Sequence, residues 1–160
     1  MSGASTPPSP DGRARTGWVR LSGQAHPPPS ATLLQAGAIA AAAAVVVNLV
    51  IWGLGRAAGV DFEVTQPNGS LVVVGAGAVI SQSLTGVIAG TLLLWPLTRL
   101  PAGLLVWVLG AALVGLGSLA FPLSRADQGS TALTLALMHL VALAAVLALP
   151  ARVAYRAGEP

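Results

Sequence analysis

Residues 33–54 read LLQAGAIAAAAAVVVNLVIWGL, a run of 22 residues without Asp, Glu, Lys or Arg. Only Gln35 and Asn48 interrupt its apolar character. An α-helix rises about 1.5 Å per residue, so about 20 apolar residues cross the roughly 30 Å hydrocarbon layer of a bilayer. The stretch therefore predicts a transmembrane helix rather than the core of a water-soluble domain.

Three more charge-free apolar stretches follow, at about residues 71–94, 103–121 and 132–149. The connections between them are short, so consecutive helices must run antiparallel and pack as neighbours. Prolines occupy positions where the second, third and fourth helices are expected to end, and these are Pro96, Pro101, Pro122 and Pro150. We expect an all-α membrane protein, an antiparallel four-helix transmembrane bundle over residues 31–153.

The composition of the whole chain supports a membrane protein. Of 160 residues, 54% are hydrophobic and 8% charged, and the mean hydropathy is +0.78, whereas soluble domains carry about 25% charged residues. The few arginines are scattered, which argues against nucleic-acid binding. The absence of cysteine excludes disulfides, thiolate catalysis and thiolate metal ligands. Abundant Ala, Gly, Val, Leu and Arg without Lys is typical of a GC-rich bacterial genome.

Arginine placement predicts the orientation. One side of the predicted membrane carries Arg13, Arg15, Arg20, Arg99, Arg152 and Arg156. The opposite side carries Arg56 and Arg125. An even number of spans puts both termini on one side, and the positive-inside rule makes that side cytoplasmic. We expect a multi-pass protein of the bacterial plasma membrane with cytoplasmic N- and C-termini. Residues 1–30, rich in Pro, Ser and Gly, are predicted to be a disordered cytoplasmic tail, and residues 154–160 a short cytoplasmic tail.

The connection between the first two helices carries a hairpin pattern. VDFEVT alternates apolar and acidic residues, and QPNG is a turn signal before SLVVV. A short external β-hairpin would place Asp61 and Glu63 on one face, where they could meet a cation or an arginine of a partner. The alternative interpretation is a solvated loop with two ordinary surface acids.

Three polar side chains within the predicted spans form a candidate site: Asn48, Gln82 and His139. Each shares a helical stripe with small residues, which lets membrane helices approach closely and favours hydrogen bonds between them. Helical rise puts Asn48 and His139 about 9–10 Å below the outer surface and Gln82 about 16 Å below it. We therefore expect a polar layer in the outer half of the bundle, facing its interior or a subunit contact.

His139 has several interpretations because an ionisable residue within a membrane is a functional-site hypothesis by default. A neutral imidazole that only hydrogen-bonds to Asn48 or Gln82 is the favoured one. A proton-handling role lacks an Asp or Glu within the spans, and haem ligation would need a second subunit. No nucleophile with a base is apparent. Gly86 and Gly90 match GxxxG, for which we favour packing within the bundle.

Three short motifs are similar to those of a known family: GVD after the first helix, SLAFP at the end of the third and LMHLV within the fourth. Over about residues 31–153 the chain resembles an uncharacterised family of small actinobacterial membrane proteins, described only as a domain of unknown function. The resemblance implies a four-helix plasma-membrane protein. It implies no activity, substrate or catalytic residue.

The sequence therefore favours a non-enzymatic structural or accessory membrane protein without a cofactor or a metal site. Its expected partners are the lipid bilayer and either further copies of the chain or another membrane protein. One alternative is a small transporter or channel-like oligomer whose polar layer lines a pathway. Another is a membrane redox subunit that binds haem through His139.

Overall fold

The computed structural model of the protein describes residues 30–151. Its elements in chain order are α1 (Ser30–Ala57), β1 (Glu63–Thr65), β2 (Leu71–Val73), α2 (Ala76–Leu97), α3 (Gly103–Ser118), α4 (Ala120–Arg125) and α5 (Gly129–Leu147). The predicted disordered tail, apart from Ser30, and the predicted C-terminal tail lie outside this range.

Four helical stretches are long and apolar enough to cross a membrane, as the sequence predicts. They are Ala31–Ala57, Ala76–Leu97, Gly103–Arg125 and Gly129–Ala151. The third combines α3 and α4, and the fourth extends α5 by a short further turn. Length and apolar composition together indicate a membrane protein.

The second helix begins later than predicted. Residues 71–73 form β2, which pairs antiparallel with β1 and places Val64 opposite Val72. The β-branched run favours a strand, and α2 starts only at Ala76, after Gly75. The predicted β-hairpin is therefore present. The first five residues of the predicted second span, 71–75, lie outside α2.

The third predicted helix is interrupted after Ser118, one turn before Pro122. Proline lacks the N–H that would bond to the carbonyl four residues back, and its ring crowds that carbonyl. The carbonyl four residues before Pro122 belongs to Ser118, which is the last residue of α3. Pro96, which was expected in the connection, lies instead within the last turn of α2.

The helices form a bundle in which α1 and α3 lie on opposite sides of α2 and α5. α1 packs on α2 and α5, α3 packs on the same two helices, and α2 also contacts α5. At the hairpin end of the bundle lie β1, β2 and the start of α5. At the tail end lie the start of α1 and the connection from α2 to α3. Consecutive long helices therefore run antiparallel.

Small residues bring α1 and α2 together in the tail half of the bundle. A Cβ atom on Gly37 would lie 2.5 Å from Oγ1 of Thr91, so only glycine fits that contact. Ala40 and Ala44 are buried beside it in a core that includes Val87. Close approach through small residues is the usual packing mode of membrane helices.

The outward surface of α3 is covered by large apolar side chains. Leu113 is 75% exposed and Val114 73%, and only Gly103 and Trp107 of this helix are buried. A water-soluble protein rarely exposes so continuous an apolar surface. This surface is suited to contact with lipid chains.

Candidate functional site

Asn48 connects three helices in the interior of the bundle. Its side chain is 3% exposed, and its Nδ2 donates to Oγ of Ser83 at 2.9 Å and to the backbone carbonyl of Met138 at 3.3 Å. These bonds link α1 to α2 and to α5. Its Oδ1 is buried and has no hydrogen-bond partner among residues 30–151. We call Asn48, Ser83 and the Met138 carbonyl the Asn48 junction.

Ser83, and not Gln82, is the residue that α2 directs towards Asn48. Gln82 is exposed, so of its two expected surroundings, the bundle interior and a subunit contact, the interior does not apply. Successive residues of an α-helix are turned by about 100°, so neighbours lie on different faces. The buried face of α2 includes Val79, Ser83, Val87 and Leu94. Ser83 could have been predicted from its spacing of four residues from Val79 and from Val87. The expectation that small residues mark the buried face selects Gln82 instead.

His139 is half-buried and bonds within its own helix. Its Nδ1 lies 2.8 Å from the backbone carbonyl of Leu135. A carbonyl can only accept, so Nδ1 carries the hydrogen of this bond. The preceding residue, Met138, is the one whose backbone accepts from Asn48. Asn48 and His139 therefore lie on neighbouring elements without a hydrogen bond between them, and the three predicted residues do not form one cluster.

The two glycines of the GxxxG motif have different surroundings. A Cβ on Gly90 would lie 3.1 Å from Val146 and 3.2 Å from Trp107, so Gly90 serves packing within the bundle. A Cβ on Gly86 would meet nothing within 4 Å. The expected intramolecular role therefore applies to Gly90 alone. The buried indole nitrogen of Trp107 also has no hydrogen-bond partner in the described part of the chain.

Asp61 is turned towards α5 and does not share a strand face with Glu63. It precedes β1, and Phe62 between the two acids has φ of 61°, which breaks the alternation of an extended chain. Oδ1 of Asp61 accepts from the Thr131 hydroxyl at 2.7 Å and from the Glu63 backbone N–H at 3.2 Å. The Thr131 bond and then the Glu63 bond hold the pKa of Asp61 below its usual 3.8.

The hairpin is fastened across the end of the bundle by three further contacts. Phe62 is fully buried and lies against the backbone of Gly55, where a Cβ would be 2.8 Å from the ring. Val64 bridges to Ala126. Thr65 donates to Asp127 Oδ1 at 2.9 Å. The hairpin thus packs over this end of the bundle, and the Asp61 carboxylate helps to hold it there through Thr131.

The acids and the single histidine of the described segment do not assemble into a metal centre. Among residues 30–151, no three His, Cys, Asp or Glu side chains lie close enough together to hold a metal ion. The side-chain hydrogen bonds that link separate elements of this segment are those of the Asn48 junction and those that fasten the hairpin.

Comparison with known proteins gives a family without an assigned role. The family of unknown function DUF6069 matches residues 28–156. No curated protein and no solved structure matches the chain. The matched range includes all four apolar helices and the hairpin. The chain therefore belongs to the DUF6069 family of unknown function.

Proposed function

We propose that the protein is a non-enzymatic accessory protein of the bacterial plasma membrane that acts by packing its helices against a membrane partner or another copy of itself. The observation that carries this proposal is the Asn48 junction. Polar groups within membrane helices either form a pathway or join the helices. Here the amide of Asn48 contacts its neighbours directly, at 2.9 and 3.3 Å.

The junction favours a fixed arrangement of helices over a chemical site. A hydrogen bond between membrane helices contributes about 0.6 kcal/mol on average, which is small but sufficient to select one facing pair of surfaces. Asn48 is buried with Ser83, so neither is displayed to a substrate. The His139 imidazole likewise bonds to the backbone of its own helix.

The proposed orientation places the tail end in the cytoplasm. Arg99 lies at that end and stacks over the Trp95 ring at 4.5 Å, a pairing suited to the membrane–water interface. Arg56, at the hairpin end, donates instead to the backbone carbonyl of Asp61 at 3.2 Å. With six arginines in the tails and middle connection against two elsewhere, the positive-inside rule supports cytoplasmic termini.

A transporter or channel-like oligomer is the second candidate. The observation that favours it is Oδ1 of Asn48, a buried acceptor without a hydrogen-bond partner in residues 30–151. An unpaired buried acceptor costs free energy, and a passing solute or a water chain would satisfy it. In that case the Asn48 junction would open during transport.

Flux through reconstituted vesicles separates the two candidates. Purified protein is placed in liposomes that contain a pH-sensitive dye, and proton and potassium fluxes are measured after a gradient is applied. The accessory role predicts rates equal to those of protein-free liposomes for the wild type and for Asn48→Leu. Flux in wild-type vesicles that Asn48→Leu abolishes, with Ser81→Ala as a control on the exposed side of α2, would establish the transporter instead.

A further inference from the structure

One stripe of the outward surface of α2 carries polar and small residues, whereas other exposed positions of the same helix carry large apolar ones such as Ile88 and Leu92. Gln82 and Thr85 lie one turn apart and are both exposed. Ala78 and Ala89 continue the same stripe and are exposed as well, and Gly86 borders it with open space where a side chain would be. We call these five residues the Gln82 face.

Neither polar group of this face has a hydrogen-bond partner within residues 30–151. No hydrogen bond within residues 30–151 uses the Gln82 amide or the Thr85 hydroxyl. The neighbouring Ser81, by contrast, donates to the backbone carbonyl of Ala78 at 3.1 Å. The Thr85 hydroxyl therefore differs from that of Ser81, which bonds to the backbone of its own helix.

The depth of Gln82 makes its unpaired amide costly. It lies six residues after Ala76, the first residue of α2, which corresponds to about 9 Å along the helix. In a bilayer this level is within the hydrocarbon layer, where water is scarce and an unpaired amide is strongly unfavourable. Lipid chains offer it no donor or acceptor. A polypeptide with hydrogen-bonding groups at the same depth would.

We propose that the Gln82 face binds a second copy of this chain, with the two α2 helices side by side and the two Gln82 amides bonded to each other. Copies that share one membrane orientation are related by a two-fold axis along the membrane normal. That axis places Gln82 opposite Gln82 at equal depth. An amide has both donors and an acceptor, so two such groups form a reciprocal pair of hydrogen bonds.

The small residues of the Gln82 face allow the close approach that this pairing needs. Ala78, Gly86 and Ala89 put no bulky side chain between two α2 backbones, and small residues at such spacings are typical of membrane helix contacts. The α3 surface has the opposite character, with Leu113 75% exposed, and is suited to lipid. The inference rests on the proposed membrane location and names one partner for it.

Single cysteines test the pairing directly, because the chain contains none of its own. In native membranes treated with an oxidant, Ala78→Cys and Ala89→Cys are expected to form disulfide-linked dimers, since a disulfide requires Cα atoms within about 7 Å. Leu113→Cys on α3 is the matched control and is expected to stay monomeric. Adding Gln82→Leu to Ala78→Cys should lower the dimerisation constant about sevenfold, the effect of two hydrogen bonds of average strength between membrane helices.

The contrary outcomes distinguish a failure of the α2 pairing from a failure of the proposed membrane location. Crosslinking of Leu113→Cys as readily as Ala78→Cys, or no loss on adding Gln82→Leu, would overturn the inference while leaving the accessory role intact. Exclusive capture of a different membrane protein at Ala78→Cys would also overturn it. Alkaline carbonate extraction is run on every variant, and release of the chain into the soluble fraction would refute the proposed membrane location itself.

Discussion

Replacing Asn48 with alanine tests how strongly the Asn48 junction stabilises the bundle. The substitution removes the hydrogen bonds to Ser83 and to the Met138 carbonyl. At about 0.6 kcal/mol for an average bond between membrane helices, the two together contribute about 1.2 kcal/mol. Because Ser83 is 3% exposed, its hydroxyl loses a partner that water cannot replace, and this adds to the cost. We expect Asn48→Ala to lower the free energy of unfolding by about 1–2 kcal/mol.

A double-mutant cycle isolates the Asn48–Ser83 bond from these secondary costs. Asn48→Ala, Ser83→Ala and the double variant are unfolded by SDS in mixed micelles, with circular dichroism as the readout. The expected coupling energy is about 0.6 kcal/mol and not above about 1.7 kcal/mol. Ser81→Ala is the control, because its hydroxyl bonds only to its own helix and its loss should be nearly neutral. Additive effects of Asn48→Ala and Ser83→Ala would refute a direct bond.

Two further predictions concern the hairpin. Asp61 has a pKa below 3.8 in the folded protein, so its contribution to stability is complete above that pH and is lost as the pH falls further, through the folded pKa. The protection of hairpin amides from hydrogen exchange, relative to their intrinsic exchange rate at each pH, should therefore fall at such acidic pH in the wild type, and Asp61→Asn should remove this pH dependence; an unchanged profile would contradict the Thr131 bond. Phe62→Ala should lower the free energy of unfolding by about 3–5 kcal/mol because the ring is fully buried, whereas Leu71→Ala, at an exposed side chain, should change it little; equal effects in SDS unfolding would contradict the packed hairpin.

The four helices could be predicted from the sequence because the signal is compositional. Residues 33–54 lack charge over a length that matches a bilayer, and this property does not depend on what the helix packs against. The boundary of α2 depends on pairing instead. Leu71–Val73 is apolar enough for either a span or a strand, and its ladder with Glu63–Thr65 decides for the strand.

The residues of the candidate site were harder to predict because they depend on which faces meet. Gln82 and Ser83 are adjacent polar residues in α2, and a turn of about 100° separates an exposed residue from a buried one. Small residues mark the buried contact of Gly37 with Thr91 as expected, yet the small residues that share a stripe with Gln82 on α2 lie on the outer surface. Whether a stripe of small residues on α2 is buried or exposed depends on where α1 lies against α2.

The hairpin contacts are long-range and leave no local pattern. Asp61 accepts a hydrogen bond from Thr131, which is 70 positions away along the chain. The positive φ of Phe62 is unusual for an aromatic residue and has no signature in the sequence. It is held by the buried ring, which lies beside Trp52 with the ring centres 6.3 Å apart.

Access of water to the Asn48 junction is the measurement that tests the proposed function most directly. Ser83→Cys is introduced into the cysteine-free chain, and native membranes are treated with a membrane-impermeant maleimide added to either side. Asn68→Cys, in the exposed turn of the hairpin, reports that the reagent reaches the protein. A protein that works by helix packing predicts labelling of Asn68→Cys from one side and none of Ser83→Cys from either side. Labelling of Ser83→Cys would show a water-filled pathway through the bundle and contradict the accessory role.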